Sequence, residues 1–298
     1  MRSLGFLTAT CMLPGRPETR DDHWELDLEL EPIRAACERR GIRVELAVWD
    51  DPALDPRAHD AWFIGTTWDY TRRPQQFLDV LARIESERRL FNPLAIVRWN
   101  GEKSYLRDLA ARGAPSIPTV WGERADAATI TRAFDELCCD EVVVKPIIGA
   151  SAWRQARVRR GEALPAADEL PLERCLIQPY LPAVAEEGEY SFLFFGGEFS
   201  HCAQKVPARG DYRVQSRFGA KEHVYAPSSD ELALARRVLA AANTELLYAR
   251  VDMVRGLDGA LAVMELELIE PYLYPEQGPR MGELFADALV RLSENTVP

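Results

Sequence analysis

Arg250 and Asp252 stand two residues apart in the apolar run 247–255, and Glu265 and Glu267 stand two apart in the run 260–267. Side chains alternate along a strand, so each pair shares one face. Between the runs, Gly256, Leu257, Asp258 and Gly259 read as a hairpin turn. With Asp258 and Gly259 at the centre of a type I′ turn, Leu257 pairs with Ala260 and Asp252 with Glu265. Three carboxylates and one guanidinium then gather on one patch of sheet. Like charges directly opposite destabilise a strand pair. Either the acids face water, or a divalent cation neutralises them. Mg²⁺ takes carboxylate oxygens and commonly shares its site with substrate phosphates. The apolar flanks, which read as buried, weigh against a solvated face.

Cations are spread more widely. Lys103 falls in the first turn of an expected helix over 101–112, where a cation opposes the helix dipole. Lys145 ends an apolar strand, 141–145, and is followed by small residues that permit close backbone approach to an anion. Lys205 follows a return strand. Arg154, Arg157, Arg159 and Arg160 form either a solvated strand face or a lid over phosphates. The polar, arginine-rich stretch 208–219 reads as a loop that closes over something charged. Thr66 to Tyr70 follow a strand end, the usual place for ligands in open α/β sheets, although an ordinary loop with a packed aromatic would look the same.

Composition bounds these readings. The chain has 298 residues, 47% hydrophobic and 28% charged, with 36 basic against 47 acidic residues and a net charge of −11. That length suits two or three compact units. The acidic balance argues against nucleic-acid and membrane-surface partners but leaves room for an anion in a locally basic pocket. Cys11, Cys37, Cys138, Cys139, Cys175 and Cys202 show no metal-ligand spacing, and there are four histidines, so a zinc site is not expected. The cysteines read as reduced thiols of a cytoplasmic protein. The N-terminus reads as a buried strand rather than a signal peptide, and no apolar run approaches a membrane span.

The elements that must position these groups follow from periodicity. Residues 3–10, 44–48 and 61–65 read as strands. Leu26, Leu30, Ile33 and Cys37 fall at helical spacing, with Leu28 and Pro32 fitting less well and Gly41 as a stop. Pro74 opens a helix carrying Phe77, Leu81 and Ile84. This is a small α/β unit with a mainly parallel sheet. Asn92 and Pro93 mark a boundary. Strand 117–121, a helix over 130–137, and an edge strand over 175–182, with Pro179 and Pro182 removing donors, come next. A hairpin turns at Gly196 and Gly197, a helix carries Leu232 to Leu239, and a final helix spans 282–292.

This order resembles the ATP-grasp superfamily of ligases, which includes D-alanine–D-alanine ligase, glutathione synthetase and the RimK-like ligases. No Walker P-loop and no dinucleotide fingerprint competes with it. Within the superfamily it is similar to the small bacterial ligases typified by the cyclo-ligase of D-cycloserine biosynthesis. Thr67 to Tyr70, Arg98 to Lys103, Phe194 to His201 and Met264 to Pro271 carry that likeness. The resemblance implies an N-terminal Rossmann-like substrate domain (1–100) and ATP held between two α+β subdomains, a central or lid one (101–182) and a C-terminal one (183–298).

By the same resemblance, Lys103, Lys145 and Ser151 would contact the nucleotide. Gln178, Pro179, Tyr180 and Leu181 would line adenine, and Glu189, or less closely Glu186, would bind ribose. Lys205 would reach the γ-phosphate. Asp252, Glu265 and Glu267 would hold two Mg²⁺ ions, with Mn²⁺ an alternative, and Arg250 would steady the acyl intermediate. Thr67, Trp68, Asp69, Tyr70, Arg213 and Arg250 would meet the substrate. Many relatives carry Asn where Glu267 stands, and the loop after Lys145 has fewer glycines than many lids. The implied reaction activates a small carboxylate as an acyl phosphate and joins it to an amine. Ring closure, intermolecular ligation of amino acids, and a catalytically silent nucleotide sensor are the three alternatives. A homodimer is the commonest assembly for such a chain.

Overall fold

The computed structural model describes residues 1–149, 153–208 and 219–294. β1 (Ser3–Thr8), β2 (Arg43–Val48), β3 (Ala61–Ile64) and β4 (Arg89–Phe91) form a parallel sheet in the order β2-β1-β3-β4. Parallel neighbours need crossovers. α1 (Glu25–Glu38) supplies one between β1 and β2, and α2 (Pro74–Glu87) one between β3 and β4. α1 passes without interruption through Pro32, although proline removes a backbone donor there. Leu26, Leu30, Ile33 and Cys37 are all buried, and that packing outweighs the lost bond. Gly41, at φ +73°, ends the turn beyond the helix.

β4, three residues long, and α3 (Leu94–Asn100), entered through Pro93, were not anticipated. α4 (Tyr105–Ala111) is shorter than the expected helix over 101–112. Lys103 therefore sits in the turn between α3 and α4, where its N–H donates to the Ile147 carbonyl at 2.8 Å.

The second sheet contains β5 (Val120–Gly122), β6 (Glu141–Pro146), β7 (Ala156–Arg159) and β8 (Cys175–Pro179), in the order β5-β8-β6-β7. α5 (Ala127–Glu136), capped by the Asp126 side chain, packs Ile130 and Phe134 against Val142, Val144 and Ile177. β8 is an interior strand, not an edge. Pro179 lies beyond the last residue paired to β5, so its missing N–H leaves no gap on that side.

α6 (Ala183–Glu186) leads to the third sheet, built from β9 (Glu189–Phe195), β10 (Glu198–Val206), β11 (Lys221–Tyr225) and, after α7 (Ser229–Ala241), β12 (Tyr248–Arg255) and β13 (Leu261–Glu267). Its order is β11-β10-β9-β12-β13, all antiparallel. β9, central and buried throughout, sets the plane of the site. α8 (Met281–Glu294) joins this sheet to the first. Phe285 meets Phe63 at 5.0 Å and Phe195 at 5.9 Å between ring centroids. β13 is an edge strand, and an edge must be covered. Asn100 donates to Leu266 O and accepts from Leu268 N, and the Tyr105 hydroxyl accepts from Leu266 N. Asn92 bonds Tyr248 O and Leu268 O.

Candidate active site

The acidic hairpin reaches its arrangement by a route other than the expected one. Of the turn residues only Gly259 has a positive φ, +80°, so the turn is not type I′. Gly256 pairs with Ala260 around a three-residue loop, which shifts the outer register by one, so that Met253 faces Val263. A bulge between Met253 and Asp252 restores the pairing of Asp252 with Glu265. The bulge also changes phase. Leu261, Val263, Leu266 and Leu268 face the core, whereas Met264 and Glu265 fall in succession on the other side. The step from Val263 to Leu266 in the apolar pattern is the sequence signal that could have shown it.

Asp252, Glu265 and Glu267 each offer an oxygen within 4.8 Å of the others. Each is already neutralised by a cation. Asp252 accepts from Arg250 Nε at 3.0 Å and Arg250 Nη2 at 3.0 Å, and Lys205 Nζ lies 3.6 Å away. The Ser191 hydroxyl, across on β9, donates to Asp252 at 2.5 Å. Burial would raise this carboxyl, but Arg250, Lys205 and Ser191 hold it below the ordinary range. Glu267 pairs with Arg250 and Glu265 with Lys103. Burial pushes Glu267 up to about 7 despite Arg250. Lys205, with a 7% exposed side chain, is paired with Glu189, whose carboxyl burial raises against the pull of Lys205. Lys145 is brought down to about 8 by burial and by Lys103. Its Nζ donates to Gln178 Oε1 at 3.0 Å and meets Met264 Sδ at 3.4 Å.

These groups line or adjoin one cleft of about 430 Å³, walled by all three sheets' connecting segments. Trp68 and Tyr70 from the first unit, Lys103, Ile147 and Ile148, and Glu189, Lys205, Arg250, Asp252, Glu265 and Glu267 all border it. The segment after β13 has few backbone partners and is held by side chains instead. Trp68 Nε1 donates to Glu270 O at 2.9 Å, Arg250 Nη1 to Tyr272 O at 3.0 Å, and Leu273 N to Glu29 Oε1 at 2.6 Å.

Not every expected residue enters the cleft. Asp69 turns away, accepting from Trp49 Nε1 at 2.7 Å and pairing with Arg73. Thr67 is fully buried behind the wall, its hydroxyl without a partner among the described residues. Glu186 is exposed at the end of α6, since the reversal at Gly188, φ +91°, brings Glu189 inward in its place. Leu181 packs with Ile117 and Val184, and Arg157 lies over the Tyr180 ring at 3.6 Å. Pro179 closes β8 opposite Val142. Ser151 and Arg213 lie outside the described residues.

Sequence reasoning gave no role to Ser191, Glu25 or Glu270, although Glu270 lies inside the stretch Met264 to Pro271. Burial and Glu267 push the Glu270 carboxyl up to about 8 at the cleft wall.

The donor chemistry fits a nucleotide triphosphate with a hard divalent cation: three converging carboxylates, and cations from separate elements around them. Comparison with known proteins bears on the family and the fold. A family model described as the N-terminal domain of the D-cycloserine synthetase DcsG matches residues 6–92. The cycloserine biosynthesis protein DcsG of Streptomyces lavendulae is 32% identical over 283 residues, 89% of this chain and 95% of that protein. The crystal structure of D-cycloserine synthetase DcsG superposes with a TM-score of 0.83 at 29% identity, covering 97% of this chain and 99% of that one. The ATP-grasp ligase PsnB, complexed with its minimal precursor, Mg and ADP, shares the fold, with a TM-score of 0.64 at 15% identity over 97% and 96% of the two chains.

Proposed function

The chain belongs to the ATP-grasp carboxylate–amine ligases, in the family of the D-cycloserine synthetase DcsG, and we propose that it closes a ring within one small amino-acid-like substrate at the cost of ATP. The observation that carries this reading is the convergence of Asp252, Glu265, Glu267, Lys205 and Arg250 in a cleft that Trp68 and Tyr70 also wall. Asp252, Glu265 and Glu267 would hold two Mg²⁺ ions, or Mn²⁺ in their place, which when bound would offset charge on the transferring phosphoryl group.

The protein's own groups account for the rest. Lys145 on β6, Lys205 on β10 and Lys103 in the turn before α4 come from separate segments, so a triphosphate would be met by cations that need little reorganisation. The substrate carboxylate attacks the γ-phosphate and becomes an acyl phosphate, with ADP leaving. Arg250, anchored through Tyr272 O, would hold the carboxylate and then the oxyanion formed when the substrate's nitrogen attacks the acyl carbon, before phosphate leaves and the nitrogen gives up its proton. Ile147 and the aromatic wall would help to keep water from that intermediate. None of the six cysteines is paired. No described helix is long and apolar enough to cross a membrane. Both features support our placing the enzyme in the cytoplasm.

The test is incubation with ATP, Mg²⁺ and O-ureido-serine, alone or with a panel of amino acids, followed by phosphate release and mass spectrometry. Phosphate with a cyclised product from a single substrate supports ring closure. A product joining two amino acids would replace it with intermolecular ligation. Nucleotide binding without turnover would point to the silent sensor.

A further inference from the structure

Ring closure leaves one proton to place. A ureido nitrogen, of the kind O-ureido-serine carries, has its lone pair drawn into a carbonyl, so it attacks well only if its proton is taken as the bond forms. The acceptor must lie within hydrogen-bond reach of that nitrogen. Neither histidine of the third sheet serves. His201 has both ring nitrogens engaged, Nδ1 with the Ser200 hydroxyl at 2.8 Å and Nε2 with Leu273 O at 3.0 Å. His223 on β11 is exposed and outside the cleft lining. Asp252, Glu265, Glu267 and Glu189 are each held by a cation. Glu25 borders the cleft, but the charges acting on it are those of Asp22, Glu222, Arg20 and Glu276, none of them on the acidic hairpin. Glu222, on the edge strand β11, has Lys205 and Arg250 acting on it.

Glu270 remains. It follows Glu267 by three residues and borders the cleft. Its backbone is pinned from two sides. Trp68 Nε1 donates to its carbonyl at 2.9 Å, and Arg250 Nη1 donates to Tyr272 O, two residues on, at 3.0 Å. The segment thus runs from the aromatic wall to the guanidinium assigned to the oxyanion. The Glu270 carboxyl faces Tyr70 from the first unit, Lys103 from the turn before α4, Tyr248 and Arg250 from β12, and Glu265 and Glu267 from β13. The Tyr70 hydroxyl adjoins it, and no cation pairs with it among the described residues. Burial and Glu267 bring it to about 8, and a carboxyl that titrates near the working pH exchanges protons readily.

We propose that the Glu270 carboxylate is the catalytic base of ring closure, taking the proton of the attacking nitrogen. The assignment rests on the ring-closing reading. The C–N bond forms, the C–O bond to phosphate breaks, phosphate leaves with the electron pair, and the nitrogen's proton passes to Glu270 and from there to solvent.

The test uses the full chain in a single turnover with ATP, Mg²⁺ and O-ureido-serine, quenched into hydroxylamine, which converts acyl phosphate to a hydroxamate. Glu270→Gln is expected to slow the cyclised product about 10²- to 10⁴-fold, the usual worth of a positioned base. ADP should still form within about threefold of the unaltered rate, and hydroxamate should accumulate in step with it. The melting temperature should hold or rise, because an unpaired carboxylate has left the cleft wall. A structural role would lower it and slow ADP and ring together, which overturns the proposal. So does a cyclised product that the variant forms within about threefold of the unaltered rate. Should Glu270→Gln not fold, Glu270→Asp, which draws the carboxylate back by one methylene, must slow ring closure against ADP formation at least about tenfold, and an unchanged ratio overturns the proposal equally. No cyclised product from the unaltered protein sinks the ring-closing reading and the proposal with it, whereas a product that both proteins form alike sinks the proposal alone.

Discussion

Replacing Lys205 with methionine keeps most of the side chain's volume and deletes its charge. The wild-type ammonium is buried with Glu189 and lies 3.6 Å from Asp252. Removing one partner of a buried pair costs about 3–5 kcal/mol, because the other charge is left uncompensated. Asp252 keeps Arg250 and Ser191, so the loss falls on Glu189, whose ion pair is with Lys205, and the lower figure applies. At about 2 °C per kcal/mol for a chain of this length, the melting temperature should fall by about 6 °C at neutral pH. The loss should depend on pH. Burial already lifts the Glu189 carboxyl above its ordinary 4.5, and without Lys205 it rises further. A carboxyl whose folded pKa exceeds the unfolded one favours folding below the unfolded value, and that contribution is lost as pH rises through the folded value. The Lys205 pKa is itself raised, so wild-type Lys205 stays charged throughout this window. The gap between the proteins should therefore be small near pH 5 and full near pH 8. Scanning calorimetry across that range checks it. A gap under about 1 °C at pH 8, or the same gap at both ends, refutes the reasoning.

Three further outcomes follow from the same geometry. In its proposed role Lys145, at about 8 in the free protein, becomes protonated against phosphate, so ADP binding at pH 8 should take up about half a proton. Calorimetry in buffers of different ionisation enthalpy would show that uptake, and Lys145→Met should abolish it. Glu267→Gln removes one carboxylate from the proposed metal set, and the Mg²⁺ concentration needed for half-maximal phosphate release should rise at least about tenfold. Gly282→Ala would drive a methyl group into the Pro32 carbonyl where α1 and α8 cross. It should cost about 1–3 kcal/mol in a urea melt while leaving phosphate release at 25 °C unchanged.

The first three strands and α2 were legible because their apolar spacing is strong. Phe77, Leu81 and Ile84 are buried as the helical period requires. β4 and α3 were not, because elements of three and seven residues carry too little pattern. Pro179 misled in the second sheet, since a missing donor argues for an edge only where a neighbour needs it. In the site, the pairing of Asp252 with Glu265 was anticipated through two errors of register that cancel, a longer turn and an unseen bulge. Asp69 has the right chemistry for a ligand but satisfies Trp49 instead. The setting of Glu25 was invisible because the wall opposite α1 comes from the far end of the chain. The Glu29–Leu273 bond beside it spans 244 residues.

The irregularity at Met264 decouples the tip of the last hairpin from its base. Leu261 and Val263 on the outer half and the acids on the inner half could not both be oriented correctly by an unbroken alternation. Deleting one residue there would turn Glu265 and Glu267 toward the hydrophobic interior, or else turn Leu261 and Val263 out of it, whichever half kept its pairing. Lengthening the turn beyond Arg255 would leave the inner half untouched. Drift in length should therefore be tolerated at one end of this ribbon and forbidden a few residues away.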